Sequence, residues 1–325
     1  MGQLFPLHYH HLAQVADLLE VAFQHVMDRE GRAFLKRLRQ LSHSLLPRPA
    51  SPGWIEELGL KGWVWLEDGR VVGHAAIYPA PRKGEFILVN VAVAPEYRRR
   101  GIATALVQAL MEDVRQQGGS CLWLEVDEEN QAARHLYETL GFTYVGTWYR
   151  WQLTVPRSSA SPSRPALPRM PLYRVTRTVW GRVYPWLRAW YPPDLDWRYP
   201  IGNLDRLRPG WWPWLYRKFL GMRTTAWYVG QPNRPAAAMF WFFMPRGGWQ
   251  RLFLAAPDDV GDEAIAGLVR PLYRRPYAFL LDAPRRARED LLSRLGFRVH
   301  RCLEVWRWTP PQTSRRGWRA WRAPR

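Results

Sequence analysis

Cysteine is scarce. The chain has only two, Cys121 and Cys302, far apart and without metal-ligand spacing, so neither a disulfide framework nor a cysteine metal centre is expected. Two free thiols suit a reducing compartment. Long hydrophobic runs are missing too. The longest, Ala236 to Met244, spans 9 residues, whereas a membrane-crossing helix needs about 20. No signal-peptide pattern opens the sequence. The expectation is a cytoplasmic protein with no transmembrane segment.

Acidic side chains are scarce in one half only. Residues 1–154 carry 16 basic and 17 acidic side chains, and residues 155–325 carry 31 and 11. The net charge of +19 therefore belongs to the second half, and nearly all of it is Arg. Such a field favours an anionic partner, nucleic acid or a membrane surface among them. Compositional bias towards Arg accounts for it equally well, since no nucleic-acid motif accompanies the charge. What the chain has in plenty is apolar residues, 47% of 325, enough for two domains with sizeable cores.

A Pro- and Ser-rich stretch at residues 155–171, "VPRSSASPSRPALPRMP", has no hydrophobic period and reads as a linker. The basic end, residues 310–325, reads as a tail. Between residues 1 and 154, strand and helix signals alternate. "GWVWLEDGRVVGHAAIYP" reads as a hairpin turning at Asp68-Gly69. "FILVNVAV" reads as a strand buried on both faces. Ile102, Leu106, Leu110 and Val114 form one helical stripe, which Gly118-Gly119 ends. "SCLWLEV" is a strand, and Asn130 to Gly141 a short helix with Asn130 as N-cap. Two further strands, around Phe142–Val145 and Trp148–Leu153, close the unit.

The junction between the second strand and its helix carries chemistry. In "APEYRRRGIATALV" a strand ends at Val93, Pro95 breaks the ladder and a helix begins near Gly101. A helix start offers unpaired N–H groups and the positive end of a dipole, which together suit an anion. Arg98 can add a charge-assisted contact. The same residues also fit an ordinary turn with solvated arginines.

Taken with "LWLEV" and "ENQAARHLYETLGF", this pattern resembles the GCN5-related N-acetyltransferase (GNAT) superfamily over roughly residues 60–153. The resemblance implies an α/β (α+β) fold with a mixed, mostly antiparallel central sheet flanked by helices. It implies that acetyl-CoA is the co-substrate and that no metal is required. Its pyrophosphate would sit on Arg98, Arg99, Arg100, Gly101, Ile102, Ala103 and Thr104. Backbone groups of Val91, Ala92 and Val93 would meet the acetyl and pantetheine portions, with an oxyanion near Ala92 and Val93, and Asn130 would contact the cofactor. "LVNVAVAP" and "LWLEV" resemble the ribosomal-protein alanine N-acetyltransferase branch. In that branch the glutamate matched by Glu125 is general base and the tyrosine matched by Tyr137 is general acid. The residues themselves leave alternatives open. Glu125 is either a lone carboxylate in a buried strand, which needs a partner, a raised pKa of the kind that suits a base, or a water-filled cleft, or a strand-end charge in solvent. Tyr137 lies on an apolar stripe and is either a core tyrosine or a proton donor to the departing thiolate. "TWYRWQL" lacks that branch's Asn-Tyr-Tyr pattern, so the amine acceptor is either a protein amino terminus or a small molecule.

A second copy follows. "DLLSRLGFRVHRCLEVWRW" parallels "HLYETLGFTYVGTWYRWQL" at an offset of 155. That offset puts Leu280, Arg285 and Leu292 where Glu125, Asn130 and Tyr137 stand. "LFLAAPDD" parallels "VNVAVAPE", with Pro257 162 residues after Pro95. The lost seven residues equal the length of the pyrophosphate turn. The expected organisation is a tandem of GNAT folds, catalytic over 1–154 and degenerate over 172–309, the latter unable to bind acetyl-CoA in the usual way. A non-catalytic module that presents a basic, Trp-rich surface is the competing reading.

Overall fold

A computed structural model describes residues 2–25, 27, 29–43, 61–155, 167–199, 202–211, 223–243, 249–275, 277–284 and 288–311. Most of the linker, the basic tail, Arg285 and residues 212–222 of the Trp-rich stretch lie outside them. Among the described residues no helix is long and apolar enough to cross a membrane.

The first half runs β1 (Gln3–Pro6), α1 (Leu12–Ala22), α2 (Arg29–His43), β2 (Lys61–Glu67), β3 (Arg70–Pro79), β4 (Glu85–Val93), α3 (Ile102–Gln116), β5 (Cys121–Asp127), α4 (Gln131–Thr139) and β6 (Thr143–Thr154). The second runs β7 (Tyr173–Arg174), α5 (Arg177–Trp190), two 3-10 turns (Pro193–Arg198 and Leu204–Leu207), β8 (Arg223–Gln231), β9 (Arg234–Phe243), β10 (Trp249–Ala255), α6 (Asp262–Val269), β11 (Ala278–Pro284), α7 (Glu289–Arg294) and β12 (Arg298–Trp308). Asp68 and Gly69 both take left-handed φ, 48° and 77°, as a tight primed hairpin turn requires. Ile102, Leu106, Leu110 and Val114 are buried along one stripe of α3.

The strands form one mixed sheet in the order β1-β2-β3-β4-β5-β12-β6-β11-β10-β9-β8-β7. Among the described residues its only parallel pairs are β4 with β5 and β10 with β11, one in each half. The repeat is visible in the registration of elements, since β6 and β12 begin at Thr143 and Arg298. Their placement differs from the expected closure. One continuous strand, not two, follows Phe142, and it does not pair with β5. The closing strands are exchanged: β12 pairs with β5, β6 pairs with β11, and the two lie side by side. The cores record the same exchange. Trp306 and Trp308 of β12 pack with α3 and β5, while Trp151 and Leu153 of β6 pack with α5, β9 and β10. Alternation explains why this suffices: each closing strand turns every second residue into the core of the opposite half.

Candidate active site

Strands β4 and β5 pair only over Glu85–Ile87 and Cys121–Trp123. Beyond that they splay, and a cleft opens between Leu88–Val93 and Leu124–Asp127. The C-terminal part of β4 is therefore half-buried rather than covered on both faces. Asn90 in that stretch takes a left-handed φ of 57°, beside a register shift in the β3 pairing. The Ala94 N–H donates to Val72 O on β3 at 2.8 Å. Strand alternation turns the Ala92 N–H the same way and those of Val91 and Val93 into the cleft. Of the two residues expected to face an oxyanion, Val93 is thus the one whose N–H faces the cleft.

The cleft ends at the start of α3. Arg99 and Gly101 both take left-handed φ, 64° and 78°, which curls the backbone so that successive N–H groups face one side. Gly101 is the N-cap and no side chain caps the helix there. The first turn, Ile102 to Thr104, keeps its N–H groups free of intrahelical acceptors. The three arginines differ in use. Arg98 lines the cleft, and its Nε donates to Val93 O at 3.1 Å. Arg99 lines it as well, with its side chain exposed. Arg100 turns away, with its guanidinium 5.0 Å from the Tyr97 ring centroid and bonded to Glu96 O. Asn130 caps α4 by accepting from the Ala133 N–H at 3.1 Å, and it also lines the cleft.

Two cavities meet here. One, of about 580 Å³, runs along Arg98–Thr104 and Val91–Val93. The other, of about 400 Å³, contains Glu125, Tyr78 and Trp197. Tyr137, Asn130, Val91, Ala133 and Phe23 line both. The Tyr137 ring is buried against Phe142, and burial pushes its hydroxyl well above the ordinary phenol range. Among the described residues no protein group hydrogen-bonds it.

Glu125 departs from expectation. The two faces of β5 fall as the alternation predicts: Cys121 and Trp123 pack on one side, and Leu122, Leu124 and Val126 on the other. But Arg198, at the end of a 3-10 turn of the second half, donates from Nε to Glu125 Oε1 at 2.5 Å. The Arg198 side chain is 1% exposed and that of Glu125 24%. Burial disfavours the charge on Glu125, yet Arg198 and, behind it, Arg150 outweigh burial and hold the carboxyl below its ordinary range. The raised pKa expected of a lone buried carboxylate is therefore corrected, because the carboxylate is not alone. Sequence reasoning also missed Trp197 and Tyr78. The 3-10 turn Pro193–Arg198 offered no periodic signal that it would reach across to β5.

Among the described residues the second half lacks the corresponding site. Leu280 and Leu292 are buried. Helix α6 begins with Asp262 and Glu263, acidic where a phosphate would need N–H groups and positive charge. Arg288 and Arg294 pair with Asp262, and Arg288 also bonds Asp258 O and Val260 O. At the place of the missing turn the chain's own arginines bond the helix start and the loop before it. Trp180, Trp190 and Trp227 fill the second core, which favours packing over display for those tryptophans.

The site is thus a splayed parallel strand pair, with a helix start at its opening and a tyrosine where two cavities join. The Acetyltransferase (GNAT) family matches residues 24–142, and the chain belongs to it. N-alpha-acetyltransferase 30 of Schizosaccharomyces pombe is 30% identical over 128 residues, 37% of this chain and 85% of that protein. The [ribosomal protein bS18]-alanine N-acetyltransferase of Escherichia coli K12 is 47% identical over 58 residues, 18% of this chain. There the chain spans only 39% of the relative's length. A tandem GNAT protein from the clavulanic acid biosynthesis pathway shares the fold through both halves, with a TM-score of 0.54 at 16% identity over 96% of this chain and 100% of that one.

Proposed function

We propose that the protein transfers an acetyl group from acetyl-CoA to a primary amine by direct attack, in a catalytic first half completed by its second. The observation that carries this reading is the junction of the two cavities at Tyr137. Acetyl-CoA would supply an activated thioester. Residues 98–104 would hold its pyrophosphate through backbone N–H groups, with Arg98 and Arg99 adding charge. The Val93 N–H would face the carbonyl oxygen. Tyr137, kept protonated by burial, would give its proton to the departing sulfur. Glu125 stays ionised at neutral pH. It would hold the amine's ammonium and take up its proton when the amine attacks, a weaker base than a raised-pKa carboxylate but a stronger anchor.

Cleft, helix start and Tyr137 favour the enzyme over a binding module with the same fold. Release of free thiol from acetyl-CoA against a panel of amines and peptide amino termini tests the proposal, with thermal stabilisation by acetyl-CoA as companion. No stabilisation and no thiol release would refute it.

A further inference from the structure

We infer that the acceptor is a primary amine on an apolar, otherwise uncharged body, and that the second half of the chain selects for it. This rests on the acetyl transfer proposed above and names its acceptor class. The cavity beyond Tyr137 measures about 400 Å³, a size suited to a small ligand. Its walls are Leu19 and Phe23 of α1, Phe34 of α2, and Trp197 and Leu303 of the second half. Trp197 is held against Trp123, ring centroids 6.1 Å apart.

Among the described residues three charged side chains line this cavity, and two of them cancel. Arg301 binds Asp127 through both carboxylate oxygens, at 3.0 and 2.6 Å. The third, Glu125, gives Oε1 to Arg198. Its Oε2 has no hydrogen-bond partner among the described residues, and the side chain is partly open to the cavity. One free carboxylate oxygen suits one ammonium. A second cation on the acceptor would meet apolar walls and lie near the buried Arg198 guanidinium. A carboxylate on the acceptor would meet Glu125. Either would lose its hydration without a partner.

The test uses the full chain with saturating acetyl-CoA and follows free thiol. The acceptors are phenethylamine, a peptide with Phe at its free amino terminus, spermidine and free phenylalanine. Phenethylamine or the peptide is expected to exceed spermidine and phenylalanine at least tenfold in kcat/KM. Preference for the small amine or for the peptide then separates the two sources of this chemistry. In a Trp197→Ala variant, KM for the preferred acceptor should rise at least fivefold. Phe34→Ser, at a side chain already 38% exposed, should raise KM in the same direction if the first variant does not fold. Equal or better turnover of spermidine or phenylalanine overturns the inference and leaves acetyl transfer standing. Turnover of none of the four, with another amine accepted, does the same. Thiol release with no amine of any kind, although acetyl-CoA binds, overturns both.

Discussion

Replacing Arg198 with Met is the sharpest perturbation this structure offers. The guanidinium lies 4.9 Å from the Trp148 ring centroid and is sealed from solvent. Loss of one partner from a fully buried ion pair destabilises by about 3–5 kcal/mol. Two features lower that figure here. Glu125 opens partly to the cavity, so water can take over some of its solvation. Arg198 also brings two buried Nη groups without partners among the described residues, and their removal relieves desolvation of about 1–3 kcal/mol. The net loss at neutral pH should be about 2 kcal/mol. Glu125→Gln should lose a similar amount, and the double variant less than the sum, leaving a coupling of about 1–2 kcal/mol. Urea unfolding of the four proteins measures it. The sign with pH is fixed by the direction of the shift. Glu125 titrates below its unfolded value, so the pair's contribution is present above the unfolded carboxyl pKa, about 4.3. It fades as pH falls through the folded pKa. In the Met variant burial loses its nearest opponent, and the Glu125 carboxyl should rise, moving the acidic limb of activity upward. A coupling under about 0.5 kcal/mol at pH 7, or an acidic limb that does not move, would refute the reasoning.

Tyr137→Phe should fold normally, because its hydroxyl bonds no described protein group, and should lower kcat by about 10²–10⁴ with little change in the KM for acetyl-CoA. Single-turnover thiol release checks it. Gly101→Val meets open space, with nothing within 4 Å of the added Cβ, but forces φ of +78° on a β-branched residue. It should destabilise by about 1–2 kcal/mol and raise the KM for acetyl-CoA, whereas an equal effect from Gly181→Val, where nothing lies within 4 Å and φ is not left-handed, would count against the backbone argument. A chain ending at residue 155 leaves β5 and β6 without β12 between them, and should be insoluble or recovered only when coexpressed with the remainder.

Much of this was legible in the sequence because local chemistry encoded it. Asp68-Gly69 specified a primed turn, the spacing of Ile102, Leu106, Leu110 and Val114 a helix, and Gly101 the start of that helix. The offset of 155 between "LYETLGF" and "LLSRLGF" announced a repeat and matched β12 to β6. It did not announce which neighbour each closing strand would take. Both strands alternate large apolar residues with polar ones, so either satisfies the pattern beside β5, and the choice rests on contacts more than about 120 residues apart in the chain. Glu125 was misjudged for the same reason. The strand showed a lone carboxylate, while its partner lies 73 residues away.

The exchange of closing strands ties the second half to the acceptor cavity. In a simple tandem, a degenerate copy touches the working one through a surface, and that surface can slide. Here β12 is hydrogen-bonded to β5 over six register positions, from Leu303 opposite Asp127 to Trp308 opposite Leu122. Leu303 and Arg301 therefore reach the cavity from within the same sheet as Glu125. Trp197 and Arg198 come from a 3-10 turn whose Leu195 packs with Cys121, Trp123, Trp148 and Val305, and of these Trp148 comes from β6 and Val305 from β12. On the proposed function, a second half without a turn like Arg98–Thr104 is free of the constraints of catalysis, yet it cannot drift, since the sheet fixes its register against β5. Substitutions at Trp197 or Leu303 should therefore alter acceptor choice while leaving the cofactor cleft along Arg98–Thr104 unchanged. Parallel measurement of KM for the amine and for acetyl-CoA in the two variants tests that separation, and a joint rise of both would show that the halves are coupled through more than the cavity wall.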